Sequence, residues 1–405
     1  SNGKEELINR AIHGLFRLYK RQSQFQEGFS AFSPPGKLPN SVSKETEGWL
    51  HMYRGVFASK LGDTGKAATA YSSAEKCFQD VDAVTPLAAC RTRQARVAID
   101  RGQYEHAVEL CEMALPVFQE TDDHWWMAMN KFLAGDALYR SGKITLARST
   151  LEDSLSHARQ SGDPGRISTS LNTLADVMCY QGEFRAAEEM FRECLDISRE
   201  LQNHHSASVH LNNLGTIFHL QEELEEASFA YHESLNICRR LGDRYGEAIA
   251  LSNLGEISLQ EGDQSKSREY FQAGLEISLE INNTWSSLAC LANLADISIQ
   301  TDSLKEATAH LIRALNLAVD THTNTMLPGL FLLTARIDLK TNHIQRASVL
   351  ISHILHQDAV DELVRKQAAE LANRENINIH EKPTVTMIEC ARSLITSMED
   401  NSETS

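Results

Sequence analysis

Residues 211–250 read LNNLGTIFHLQEELEEASFAYHESLNICRRLGDRYGEAIA, and the next block opens LSNLGEISLQEGD. Laying the chain out in blocks of forty keeps the same residue types in the same columns without a gap. A small residue recurs as Gly55, Ala95, Gly135, Ala175, Gly215, Gly255, Ala295 and Ala335. Seven positions later stand Gly62, Gly102, Gly142, Gly182, Glu222, Gly262, Asp302 and Asn342. Five further on come Ala67, Ala107, Ala147, Ala187, Ala227, Ser267, Ala307 and Ala347. Eight in-register units define a repeat array, so every other feature has to be read by column.

The columns have a physical reading. Leu211, Leu214, Ile217 and Phe218 recur at helical spacing, as do Ala227, Ala230, Tyr231, Ser234 and Leu235 after the turn. Each unit is therefore predicted to be two antiparallel helices joined where Gly or Asn takes positive φ. Gly215 and Ala227 mark where the paired helices cross, because small side chains allow close approach. The junctions Gly162-Asp163, Gly242-Asp243 and Asn282-Asn283 end the second helix and cap the next one. No single hairpin buries its apolar face, so neighbours must stack.

This pattern resembles the tetratricopeptide repeat. The residues that carry the likeness are Leu211, Leu214, Gly215, Ala227, Tyr231 and Ser234, and one unit earlier Leu171, Leu174, Ala175, Ala187, Phe191 and Cys194. The second helix is longer than in the standard repeat of about 34 residues, and its closing proline is missing. The forty-residue type is similar to the sensor arrays of bacterial ATPase-coupled transcription activators of the maltose-regulon kind, and to arrays of spindle-orientation scaffolds. The likeness spans about residues 45–356. It implies an all-α, α-α superhelix (a TPR-like solenoid) of eight to nine helix pairs with capping helices.

A chain of 405 residues exceeds the size at which one globular core stops growing, and a solenoid resolves that conflict. The net charge of −16, from 39 basic and 55 acidic residues, disfavours nonspecific contact with nucleic acid or anionic lipid. No apolar run approaches a membrane span and no signal-peptide core is present, which points to a cytoplasmic protein. The opening Ser1-Asn2-Gly3 lacks Met, as expected of a piece of a longer protein. Cys77, Cys90, Cys111, Cys179, Cys194, Cys238, Cys290 and Cys390 form no C-x-x-C pair and mostly occupy apolar columns, so they are expected as reduced core thiols.

Residues 1–44 are expected to hold a degenerate first repeat, or N-terminal cap, and a proline-rich loop. The apolar face there would comprise Leu7, Ile8, Ala11, Leu15, Phe16, Leu18 and Tyr19, followed by a short second helix at Phe25–Phe32. Ser33 to Pro39 cannot continue a helix. The array proper is expected over 45–356, with a worn last unit in which Leu333 replaces asparagine. Residues 357–405 should supply capping helices at Asp358–Asn373 and Thr384–Met398, a linker at Asn376–Pro383, and a frayed tail from Glu399.

Sites for chemistry are scarce. Gly62-Asp63-Thr64-Gly65-Lys66 lacks phosphate-loop spacing and sits on a repeat turn. His204-His205 and His353/His356 lack further ligands at metal spacing and are expected as solvated side chains. Asn282-Asn283-Thr284 falls on a junction. No protease, esterase or paired-carboxylate motif is present, so no catalytic residue, metal or cofactor is expected and the chain is read as a non-enzyme. An active site built into the array is the remote alternative. Trp125-Trp126 stands apart: one ring should pack between repeats, while the other could be an exposed anchor.

The resemblance also implies where a ligand lies. In such arrays the first helices line a concave groove. Column by column this gives Arg93, Leu133, Thr173, Asn213, Asn253 and Asn293; then Arg96, Asp136, Asp176, Thr216, Glu256 and Asp296; and also Asn172 and Asn212. The groove is expected to open on a basic stretch at Arg93, Arg96 and Arg140, with acidic residues after it and an asparagine ladder along it. Asparagine offers both a donor and an acceptor to an extended backbone, or it can simply be satisfied within the helix pair. The function implied is an interaction or sensor module for a peptide, a protein partner or a small inducer, within a larger signalling or transcription-regulatory protein. A scaffold of the spindle-orientation type is the alternative. Neither direct nucleic-acid binding nor a membrane is expected.

Overall fold

The computed structural model describes residues 2–33, 42–357, 360–379 and 385–403. The expected proline-rich loop beyond Ser33, the residues around Asp358 and the second half of the expected linker lie outside that set. Among the described residues there are twenty α-helices, one 3-10 turn at Asn324–Met326, and no strand.

The chain divides into two compact units, Ser1–Gln202 and Asn203–Ser405. The first holds α1 (Asn2–Arg21), α2 (Phe25–Ala31), α3 (Lys44–Lys60), α4 (Thr64–Gln79), α5 (Val84–Asp100), α6 (Tyr104–Glu120), α7 (His124–Arg140), α8 (Ile144–Ser161), α9 (Pro164–Tyr180) and α10 (Phe184–Glu200). The second holds α11 (His204–Leu220), α12 (Leu224–Leu241), α13 (Arg244–Gln260), α14 (Gln264–Glu280), α15 (Thr284–Gln300), α16 (Leu304–Asp320), α17 (Leu327–Lys340), α18 (Ile344–His356), α19 (Glu362–Arg374) and α20 (Met387–Glu403). Within each unit a second helix packs on its own first helix and on the next one, while successive first helices also touch. This is the stacked helix-pair solenoid that the forty-residue period predicts.

The turn column does what its composition demands. Gly62, Gly102, Gly142, Gly182 and Gly262 all take φ between 73° and 83°. Glu222, Asp302 and Asn342 hold the same left-handed backbone at φ 63°, 60° and 64°, where a side chain is disfavoured. At the other junction Gly162 and Gly242 end their helices left-handed. The following residue then caps. Asp163 accepts from the Arg166 N–H at 3.1 Å, Asp243 from Gly246 at 3.0 Å and Asn283 from Ser286 at 3.2 Å.

The small-residue column meets a side chain of the partner helix. A Cβ on Gly215 would come within 2.7 Å of the Tyr231 ring, and one on Gly135 within 2.6 Å of Leu151. The alanine column is fully buried from Ala67 to Ala347. Where Ser267 interrupts it, its hydroxyl donates to the Gly255 carbonyl at 2.7 Å, which offsets the desolvation of a buried polar group. All eight cysteines are free, six of them buried, and burial pushes the Cys90, Cys111 and Cys194 thiols up to about 12.

The ends differ in detail from the sequence expectation. On α1 only the stripe of Ile12, Phe16 and Tyr19 packs against the α3 aromatics Tyr53 and Phe57, while Leu7, Ile8, Leu15 and Leu18 are exposed. The seven-residue α2 is too short to cover the second apolar face. The next helix expected from Asp358 begins at Glu362, where Asp361 caps it. The final helix starts in a capping box: Thr386 and Glu389 bond each other's backbone N–H. It does not fray after Met398 but runs to Glu403, because Ala391, Leu394, Ile395 and Met398 are buried in the core shared with α16.

Candidate binding surface on the first helices

Side chains one repeat apart bridge successive first helices, and their chemistry differs between the units. In the first unit the link is ionic. Arg96 of α5 reaches Asp136 of α7 at 3.3 Å, and Arg140 donates to the same carboxylate at 2.7 Å. Asp136 is only 4% exposed. It is an internal counter-ion and not the free groove acid expected from sequence, because the two basic residues meant to open the groove are spent on it. Asp176 lies one repeat further. Burial, and then repulsion from Asp136, raise its carboxyl to about 7, while Asn172 donates to it at 3.4 Å.

Trp125 and Trp126 sit edge to face, 5.0 Å apart, at the start of α7. Both are half-buried, which corrects the expectation of one exposed anchor. Trp126 stacks on Phe118 of α6 at 5.4 Å. The Trp125 indole N–H donates to Asp163 at 2.7 Å. Two guanidinium groups lie over these rings: Arg93 of α5 is 5.4 Å from the Trp126 centre and Arg166 of α9 is 4.2 Å from that of Trp125. Burial, and then the nearby Arg93 and Arg96, bring Arg166 down to about 10. The sequence reading missed Arg166, although it stands in the Trp126 column one unit on. Leu133 of the same face is fully buried and Thr173 half-buried.

In the second unit the link is an amide. Asn253 of α13 donates its Nδ2 to the Oδ1 of Asn212 on α11 at 2.9 Å. Asn213, Asn253 and Asn293 are half-buried in one column, yet the bridge uses Asn212 and not Asn213. Further along, Gln260 meets His219 at 2.7 Å, and Ser252 meets Cys290 at 3.2 Å. Glu256 is half-buried, and burial raises its carboxyl. Asp296 is paired with Arg336, so it too carries its own counter-ion. Thr216 is exposed and accepts from the Tyr231 hydroxyl at 3.2 Å.

The other candidates resolve simply. Asp63 caps α4 through the Lys66 N–H at 2.8 Å, so the phosphate-loop lookalike is a repeat turn. His204 and His205 are the first residues of α11 and not a loop, and His205 faces Asp243 at 3.2 Å. His353 is buried edge-on against Phe331 and is held neutral by burial, so it is not a solvated histidine. Glu47, His51 and Cys77 gather within 4.8 Å, a grouping the sequence gave no reason to expect. Lys44 already neutralises Glu47 there at 2.8 Å. No helix of the described residues is long and apolar enough to cross a membrane.

Comparison with known proteins gives the same fold. Residues 88–248 match the family model of the MalT-like TPR region. No curated protein matches the chain by sequence. Among solved structures, the quorum sensor NprR from B. thuringiensis in its apo form aligns at TM-score 0.63 and 12% identity, over 92% of this chain and 99% of that one. A Rap protein complexed with Competence and Sporulation Factor aligns at 0.55 and 13%, over 89% and 99%. A STAND protein with a tetratricopeptide repeat sensor from Pyrococcus horikoshii aligns at 0.62 and 15%, over 93% of this chain and 53% of that one. The chain is a tetratricopeptide-like repeat array similar to MalT-type sensors, a fold of interaction modules.

Proposed function

We propose that this array is the ligand-reading part of a cytoplasmic signalling or transcription-regulatory protein and holds an extended peptide segment against its first helices. The observation that carries the reading is the amide bridge from Asn253 to Asn212. It consumes one donor and one acceptor, leaving the Asn253 oxygen and the Asn212 NH2 to bond a backbone of any sequence. Asn293 continues the row one repeat on. Fold supports the same reading: one similar structure is a quorum sensor and another is complexed with a factor. The absence of any catalytic constellation in the sequence fits a binding role and not an enzymatic one.

Selecting peptides from a displayed random heptapeptide library, then titrating the best one by calorimetry, tests this. Asn212→Ala/Asn253→Ala should lose about 1–3 kcal/mol of affinity, because backbone groups of the peptide are left unpaired. A library that yields nothing, or a peptide bound equally by the double variant, defeats the reading.

A small polar inducer is the second reading. A cleft of about 590 Å³ lies between α15, α17 and α19, lined by Gln300, Arg336, Lys340, Glu370 and Arg374. That volume is in the range of small-molecule sites. Arg374→Ala should abolish inducer binding there and leave peptide binding intact.

A further inference from the structure

The first unit collects cations on a chain whose net charge is −16. Arg93 and Arg166 flank the Trp125–Trp126 pair, each with its guanidinium over an indole. Lys20, in the last turn of α1, faces the same place: burial, then Arg93 and Arg166, lower its ammonium, while only Asp163 among the nearest groups raises it. None of the three makes an ion pair among the described residues. The Arg93 Nε is buried without a hydrogen-bond partner. Asp163, the nearest carboxylate, is occupied by the Trp125 indole and by the α9 N–H groups it caps. Arg96 is also close but is committed to Asp136.

Such an arrangement is unfavourable by itself. Like charges repel, and partly desolvated cations lose hydration without gaining a counter-ion. A bound anion removes both costs. A guanidinium laid flat on an indole keeps its N–H edge free, and that edge matches the two oxygens of a carboxylate. The overall negative charge argues against nucleic acid as the source of the anion.

We propose that Lys20, Arg93 and Arg166, mounted on the Trp125–Trp126 pair, form a carboxylate subsite that selects acidic peptides. It rests on the peptide reading above and names the class of peptide. The carboxylate can belong to an acidic side chain or to a C-terminus, and the recognition chemistry is the same. Trp125 and Trp126 supply the rigid floor, and the aliphatic body of a ligand residue can lie against their exposed edges.

Calorimetry with three synthetic octapeptides decides it. The first alternates Ala and Glu with both ends blocked; the second has Gln for Glu; the third has Gln for Glu and a free C-terminal carboxylate. The protein should bind the first at least tenfold more tightly than the second, and less tightly as salt rises. Recovery of affinity by the third assigns the subsite to a C-terminus; no recovery assigns it to side chains. Lys20→Gln/Arg93→Gln should erase the preference, with Arg166→Gln as an independent variant and the circular dichroism of each confirming its fold. The proposal is overturned if the first and second peptides bind alike, if none binds, or if folded variants keep the preference. Asn212→Ala/Asn253→Ala separates it from the reading beneath it. If that variant and the library selection both show no peptide held by the amides while the Glu peptide still binds, the amide reading falls and the carboxylate subsite stands.

Discussion

The two units share one core and display two different faces. In the first, the bridge between successive first helices is Arg96–Asp136–Arg140; in the second it is Asn212–Asn253. Beneath both lies the same ladder of buried alanines, from Ala67 to Ala187 in one and from Ala227 to Ala347 in the other. The difference teaches that the repeat constrains what points into the stack and leaves what points out of it free. A half-exposed column tolerates Arg, Asp, Asn or Glu because none of them has to fit a facing ridge. Function can therefore vary along the array without changing the fold.

The largest effect should be common to both units. Ala187→Leu and Ala227→Leu each force a larger side chain into the crossing of a helix pair and should cost about 1–3 kcal/mol. Denaturation midpoints of the two variants check it. If either midpoint stays put, that alanine does not lie in the crossing, and the claim of a shared core is broken.

Next in size is the pair of bridges. Asp136→Ala removes a buried acceptor from two arginines and should cost about 2 kcal/mol, softened because Arg96 and Arg140 can reach water. Asn212→Ala breaks a neutral bond on a half-buried face and should cost about 0.5–1 kcal/mol. Urea titrations rank them. Equal losses would show that the charged bridge is no tighter than the amide one.

A pH dependence should belong to the first face alone in this strong form. Asp176 titrates at about 7 in the folded chain, raised by burial and then by Asp136. A carboxyl with a raised folded-state value is more readily deprotonated when unfolded. Its contribution is therefore whole below about pH 4, shrinks as pH rises, and is gone by about pH 7. Melting temperature should fall across that window by an amount worth on the order of 1–2 kcal/mol, less than full conversion since the carboxyl still touches water. Asp176→Asn should flatten the slope, and an identical slope in that variant removes Asp176 as its cause.

How much of this was legible beforehand follows from which forces set each feature. The helix pairs, the turn column and the caps at Asp163, Asp243 and Asn283 could be read because each depends on a few neighbouring residues. The columns also named most groove residues, including Arg93, Asp136 and Asn253. They could not say that Arg96 and Arg140 would both close on Asp136, because rotamers of long side chains are not periodic. Arg166 and Lys20 were missed for a related reason. Arg166 shares a column with Trp126 and could have been found by asking what stands one repeat beyond an aromatic. Lys20 lies outside the regular repeats, so no column pointed to it. The extra helical turns after Met398 depend on packing against α16, a contact far apart in sequence.

The smallest effect tests the turns. In the first unit all four turn positions are glycine, whereas in the second only Gly262 is, and Glu222 holds φ 63°. A left-handed backbone costs a residue with a Cβ about 1 kcal/mol, partly offset because glycine loses more freedom on folding. Glu222→Gly should therefore stabilise the chain by about 0.5 kcal/mol, and Gly182→Glu should destabilise it by about the same amount. The charge change is a confounder, since Glu222 stands beside Glu223 and close to Glu225. Glu222→Gln separates the two, keeping the Cβ while removing the charge. If Glu222→Gln gains as much as Glu222→Gly, the turn strain is not what distinguishes the units, and the acidic cluster at the start of α12 is. If only the glycine variant gains, the second unit carries backbone strain that the first has avoided.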